Sequence, residues 1–239
     1  ETRLLWFESP TNPTLRCVDI TRIAAACRAR GVLCVIDNTF ATPVNQQPLA
    51  LGVDMVMQSA TKYLNGHSDV TAGVVTGPAR LLAPIEATRR LVGSVLDPQA
   101  AYALGRGLKT LELRMARHNA SAARLADRRV RRVHYPGLAD HPDHVIAARQ
   151  MSGFGGMVCL DLGDAEADAA RVFDKLTVFQ RAASLGGVES LASMPILTSH
   201  WRCSDQQLAA AGVTRGMLRL SVGLEDPAAL IADLDQALG

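Results

Sequence analysis

Ser59-Ala60-Thr61-Lys62-Tyr63-Leu64-Asn65-Gly66-His67-Ser68-Asp69, preceded by the apolar run Met55-Val56-Met57, decides how the chain is read. The apolar run predicts a short buried strand. Two hydroxyls, a lysine, a glycine and small polar residues follow it, so the strand ends in a chemically loaded loop. In an open α/β sheet such loops sit at the carboxyl ends of strands, where ligands bind. Lys62 stands out because the chain's positive charge is nearly all arginine; the other lysines are Lys109 and Lys175, on amphipathic helical stretches. A desolvated lysine can lose its proton and attack a carbonyl, which arginine cannot do. The competing reading is a surface lysine in a polar loop.

Upstream, the same pattern occurs twice more. Leu4 to Phe7 reads as a buried strand ended by Glu8-Ser9-Pro10-Thr11-Asn12-Pro13, where two prolines force a turn. Asp19 is a candidate N-cap for a helix to Arg30, closed by Gly31. Val32 to Ile36 is a second apolar strand, ended by Asp37-Asn38-Thr39, and Pro48 to Leu51 reads as one helical turn before the third strand. This alternation predicts a mostly parallel sheet, with Val70 to Thr76 as a further strand.

Pro78 opens a helix, and Pro98 to Leu125 reads as one long helix carrying Leu104, Leu108, Leu111 and Met115 at helical spacing. A domain change is expected along it, dividing the chain into 1–108 and 109–239. The second part alternates strands (130–135, 157–162, 178–182, 217–222) with helices (143–151, 165–176, 227–238) around a long irregular stretch. That mixture predicts a smaller α+β domain.

Composition narrows the function classes. Net charge is +2 and no basic run suggests nucleic acid. The cluster Arg128-Arg129-Val130-Arg131-Arg132 is expected to end a helix, where cations suit the dipole. No apolar run is long enough for a membrane span and no signal peptide is evident. Cys17, Cys27, Cys34, Cys159 and Cys203 are scattered and read as reduced thiols of a cytoplasmic protein. His141 and His144 flank Pro142-Asp143 without a metal-ligand framework and read as a loop and a helix start. No metal site is expected.

Three consecutive parallel strands place their following loops on one edge of the sheet. Those loops carry Asn12, Asp37, Ser59, Thr61 and Lys62. The competing reading of Asp37-Asn38 is a strand-end turn. Pyridoxal phosphate needs this set: a lysine for its aldehyde, a carboxylate for its ring nitrogen, hydroxyls for its phosphate, and a donor such as an Asn amide for its phenolic oxygen.

Five stretches in order then carry a resemblance. Glu8-Ser9-Pro10-Thr11-Asn12-Pro13-Thr14, Asp37-Asn38-Thr39-Phe40-Ala41-Thr42-Pro43, Ser59 to Asp69, Ser184-Leu185-Gly186-Gly187-Val188-Glu189-Ser190-Leu191 and Leu218-Arg219-Leu220-Ser221-Val222-Gly223-Leu224-Glu225-Asp226 resemble the Cys/Met metabolism family of pyridoxal-phosphate enzymes. This is the cystathionine γ-synthase, γ-lyase and β-lyase group. The resemblance implies the aspartate-aminotransferase fold (fold type I), with residues 1–108 as the C-terminal portion of the large cofactor-binding domain. It implies a homotetramer of tight dimers acting on an amino-acid substrate. By the same resemblance Lys62 would bond to the cofactor aldehyde and then shuttle protons. Asp37 would pair with the ring nitrogen, Ser59 and Thr61 would hold the phosphate, and Asn12 would lie by the phenolic oxygen and the substrate. Arg219 would bind the substrate carboxylate, with Ser184 and Ser199 lining the substrate end. The strand alternation of Leu218 and Leu220 alone leaves open a solvent-facing Arg219.

The sequence departs from the family pattern twice. Ala183 stands where many γ-synthases and γ-lyases carry Glu and β-lyases often carry Tyr. The family's N-terminal portion, with a phosphate-cupping loop and a ring-stacking tyrosine, is not in this sequence, which is therefore expected to be the C-terminal part of a longer polypeptide. The expected activity is elimination or replacement at Cγ of sulfur amino acids or O-acylhomoserine. The second reading is a β-lyase or methionine γ-lyase; from another class, it is a non-catalytic half-chain serving assembly.

Overall fold

The structure, a computed structural model, describes residues 1–126 and 130–239. It contains two sheets. The first has the order β1-β2-β3-β4. β1 (Leu4–Glu8), β2 (Leu33–Asp37) and β3 (Met55–Ser59) are parallel, and β4 (Gly73–Thr76) returns antiparallel to β3. The crossover from β1 to β2 is helix α1 (Ile20–Arg28), capped by Asp19, whose side chain accepts from the Arg22 N–H at 3.1 Å. Its spacing puts Ile20, Ala24 and Cys27 on one face, buried against Cys34, Ile36, Val53 and Val56. β1 departs from the expected buried strand: Leu4, Leu5 and Trp6 are exposed. It is an edge strand, so its apolar run lacks the two-sided cover of β2. Residues 48–52 form turns rather than a helical turn, and the helix there is α2 (Thr42–Asn45).

α3 (Ala79–Val92) follows, with Pro78 as its N-cap residue and Gly93 ending it at φ 74°. The expected single helix from Pro98 is two: α4 (Pro98–Leu108) and α5 (Leu111–Ala126). The break lies at Lys109-Thr110. Gly107 packs so tightly on Asn65 that a Cβ would lie 2.3 Å from its carbonyl oxygen. The buried Arg114 then folds back, Nη2 donating to Gly107 O at 2.8 Å and Nε to Thr110 Oγ1 at 3.1 Å. Leu108, expected on the apolar face, is exposed beside this break.

The remaining elements are β5 (Arg132–His134), α6 (His144–Gln150), β6 (Met157–Asp161), α7 (Glu166–Lys175), β7 (Gln180–Arg181), β8 (Leu191–Ser193), α8 (Asp205–Ala211), β9 (Met217–Ser221) and α9 (Pro227–Leu238). The five strands form the second sheet, order β5-β6-β9-β8-β7, antiparallel except for the β7–β8 pair. The stretch read as irregular thus holds β8, a 3-10 turn at Pro195–Leu197, and α8. Of the basic cluster, Arg128 and Arg129 lie outside the described residues, and Arg132 opens β5 rather than ending a helix.

The main core joins β6 and β9 to α5, α7 and α9 through Leu125, Leu160, Val172, Leu218, Leu230 and Leu234. α5 also enters a second cluster: Leu111 and Met115 pack with Tyr63 and Leu64. The boundary between 1–108 and 109–239 is therefore proposed just ahead of the helix that touches both cores. Among the described residues no helix is long and apolar enough to cross a membrane.

Candidate active site

Because β1, β2 and β3 are parallel, their carboxyl ends share an edge. Glu8 pairs with Asp37 across β1 and β2, and Ser59 ends β3. Over this edge hang the Ala183-Ser184-Leu185 loop and Arg219 from β9. Together they enclose a cavity of about 570 Å³, lined by Asn12, Asp37, Ser59, Lys62, Ser199 and Arg219 among others. That volume suits a small cofactor with its substrate.

Lys62 sits in a tight turn closed by the Gly66 N–H to Lys62 O bond at 2.8 Å. Arg114 fixes this turn to α5, donating to Tyr63 O at 2.7 Å and Leu64 O at 3.3 Å. The Lys62 amine donates to Ser184 Oγ at 3.0 Å. Burial, then the nearby Arg219 charge, lowers its pKa from the usual lysine value, which favours the neutral nucleophilic amine. The glycines after Ser184 permit this contact. A Cβ on Gly186 would lie 2.7 Å from the Tyr63 nitrogen.

Asp37 is oriented by the Thr39 N–H, which donates to its Oδ1 at 2.9 Å. Thr39 in turn accepts the Ser59 N–H on its hydroxyl at 2.8 Å. Arg219 is 4% exposed, which excludes the solvent-facing reading. It reaches the cavity and donates to Asn12 Oδ1 at 3.0 Å, Ala183 O at 2.6 Å and Ser184 O at 3.4 Å. A guanidinium has five N–H donors, so some remain for a ligand.

Two expected residues lie differently from the rest. The Thr61 hydroxyl is spent on Ala72, just ahead of β4, accepting from its N–H at 3.0 Å and donating to its O at 3.3 Å, and Thr61 does not line the cavity. Ser199 lines the cavity at its far side and bonds His200 Nδ1 at 3.0 Å. Glu8, Thr39 and Phe40 also line the cavity, beyond the residues expected from the sequence. The signal for Glu8 was available: a carboxylate ending a strand on the same edge as Asp37.

Away from the cavity, His144 opens α6, and His141 is buried with Nδ1 accepting the Asp143 N–H at 3.2 Å. All five cysteines are free. The donor set fits pyridoxal phosphate: one amine of lowered proton affinity, a fixed carboxylate, a strand-end serine and a half-buried amide share one cavity.

Comparison with known proteins agrees. The sequence model of the family described as Cys/Met metabolism PLP-dependent enzyme matches residues 1–239. The chain is 45% identical to cystathionine gamma-synthase 1 of Nicotiana tabacum over 98% of its own length and 44% of that protein. It is 46% identical to cystathionine beta-lyase of Lactococcus lactis subsp. cremoris over 100% of its length and 64% of that protein. It superposes on the crystal structure of Xanthomonas oryzae cystathionine gamma synthase in complex with cystathionine with TM-score 0.94 and 40% identity, covering 99% of this chain and 62% of that one. The chain thus spans about half to two thirds of the length of these relatives. With the site and these matches together, the chain belongs to the Cys/Met metabolism family of PLP-dependent enzymes, with the fold-type-I architecture of its structural neighbours.

Proposed function

We propose that this chain carries the catalytic lysine of a transsulfuration enzyme that eliminates or replaces a group at Cγ of a sulfur amino acid or O-acylhomoserine. The observation that carries the reading is the convergence of Lys62, Asp37, Asn12 and Arg219 on one cavity. Lys62, Asp37, Ser59 and Asn12 would hold pyridoxal phosphate. When bound, it supplies a sink for electrons released at the substrate Cα.

The chain's own residues do the rest. Arg219 receives the substrate carboxylate, its plane set by Asn12 on one side and Ala183 O on the other. Lys62 takes the Cα proton on Nζ, which Ser184 orients. Burial keeps that amine ready to accept a proton. Asp37, held by the Thr39 N–H, would present its carboxylate to the ring nitrogen of the bound cofactor and help keep that nitrogen protonated. Ala183, Leu197, Thr198 and Ser199 also line the cavity and would meet the distal end of a substrate. Alanine at 183 itself offers that end no carboxylate.

The enzyme acts as a homotetramer in the cytoplasm. Exposed Leu4, Leu5, Trp6, Leu91 and Val92 support assembly, since apolar patches call for a covering surface. Free cysteines support a reducing compartment. Product analysis tests the regiochemistry. Cleavage at Cγ turns cystathionine and water into cysteine, 2-oxobutyrate and ammonia; homocysteine, pyruvate and ammonia instead would establish the β-lyase reading.

A further inference from the structure

We propose that Glu8 is a positioning residue: it fixes Asn12, and through Asn12 the Arg219 guanidinium that receives the substrate carboxylate. The inference rests on the amino-acid-substrate reading above and gives Glu8 a role in it.

Glu8 ends β1, lines the cavity and is the register partner of Asp37. Its Oε1 accepts the backbone N–H of Asn12 at 2.9 Å, spanning the turn that contains Pro10. The far side of that turn is tied independently, Leu15 N–H donating to Thr11 O at 2.8 Å and Thr11 N–H to Arg16 O at 3.0 Å. With both sides held, the Asn12 side chain has a fixed origin. Its Oδ1 accepts from Arg219 Nη1 at 3.0 Å. Nη2 is held by the Ala183 carbonyl at 2.6 Å. The plane of the fork is thus set from two sides, and one of these depends on Glu8.

Carboxylate burial is costly, and a neutral oxygen acceptor spans the same turn. Burial raises the Glu8 pKa, the Asn12 N–H opposes the rise, and Asp37 adds to it. In either protonation state Glu8 keeps an oxygen that accepts the Asn12 N–H. Its role is therefore that of an acceptor, and glutamine should replace it.

The test uses the cofactor-loaded protein and two probes, L-alanine and L-alaninamide, with dissociation constants read from the visible absorbance change. Both carry the α-amine, and only L-alanine carries the carboxylate. Glu8→Ala should weaken L-alanine by about tenfold, the value of one lost charge-assisted contact. It should leave L-alaninamide within about twofold. Glu8→Gln should restore L-alanine binding. Glu8→Ser, which stays polar and is too short to span the turn, should repeat the selective loss and serves if Glu8→Ala fails to fold. Equal weakening of both probes, or a glutamine variant as poor as alanine, would overturn the proposal while leaving the functional reading standing. Binding of neither probe by the unmodified protein would overturn that reading and the proposal with it.

Discussion

Replacing Arg114 by Met tests whether α5 holds the lysine turn in place. Arg114 is 5% exposed and has no carboxylate partner among the described residues; it donates to carbonyls of Tyr63 and Leu64, directly after Lys62, and of Gly107. Methionine keeps most of the stem packing and removes the donors. Gly107 O retains the Thr110 N–H at 3.2 Å, whereas Tyr63 O and Leu64 O lose their partner. Each orphaned buried acceptor costs about 1–3 kcal/mol. Releasing a buried charge offsets part of this, leaving a net loss of about 2–4 kcal/mol. Gly66 supplies the second arm. A Cβ there would lie 2.1 Å from Arg114 Nη1, at φ 74°. Gly66→Ala should therefore be costly in the unmodified protein. With Met at 114 it should cost only the backbone strain of about 1 kcal/mol. Urea unfolding followed by circular dichroism measures all four corners of this cycle. An Arg114→Met cost below about 1 kcal/mol, or strictly additive costs, would refute the clamp.

Arg219→Lys should lower kcat/KM for amino-acid substrates by about a hundredfold, because lysine supplies charge without the planar fork; an unchanged value would remove Arg219 from the site. Ala183→Glu should raise the preference for cystathionine over homocysteine, since a carboxylate there can meet the distal ammonium; strong cystathionine selectivity in the unmodified protein would contradict this. Burial lowers His118 to about pKa 4 against the opposing Val222 contact, and burial with Arg132 lowers His134 to about 4. Between pH 4 and about 6.5 the unfolded chain binds more protons, so stability is full above that window and falls as pH drops through it, by on the order of 3 kcal/mol per histidine. Unfolding midpoints that stay flat across the window would exclude buried neutral histidines.

The parallel order of β1, β2 and β3 was legible because continuous apolar runs alternate with one strongly amphipathic helix, and it carried the shared edge of Asp37 and Lys62 with it. What escaped reading depends on contacts far apart in sequence. The break between α4 and α5 comes from Gly107 meeting Asn65 and from Arg114 folding back, neither of which disturbs the helical period. The Thr61 hydroxyl is consumed by Ala72 because β4 returns alongside β3, a pairing that spacing does not reveal. The exposure of β1 follows from its edge position, which an apolar run does not disclose. Arg219 was ambiguous by alternation alone; the Asn12 and Ala183 contacts resolve it.

The central claim is that Lys62 is the residue to which pyridoxal phosphate attaches. Load the protein with the cofactor, reduce with borohydride, digest, and map the added mass by tandem mass spectrometry. The adduct is expected on the peptide containing Lys62, together with loss of the visible band, and no adduct is expected in Lys62→Ala. An adduct on Lys109 or Lys175 in its place, or an undiminished adduct in Lys62→Ala, would contradict it.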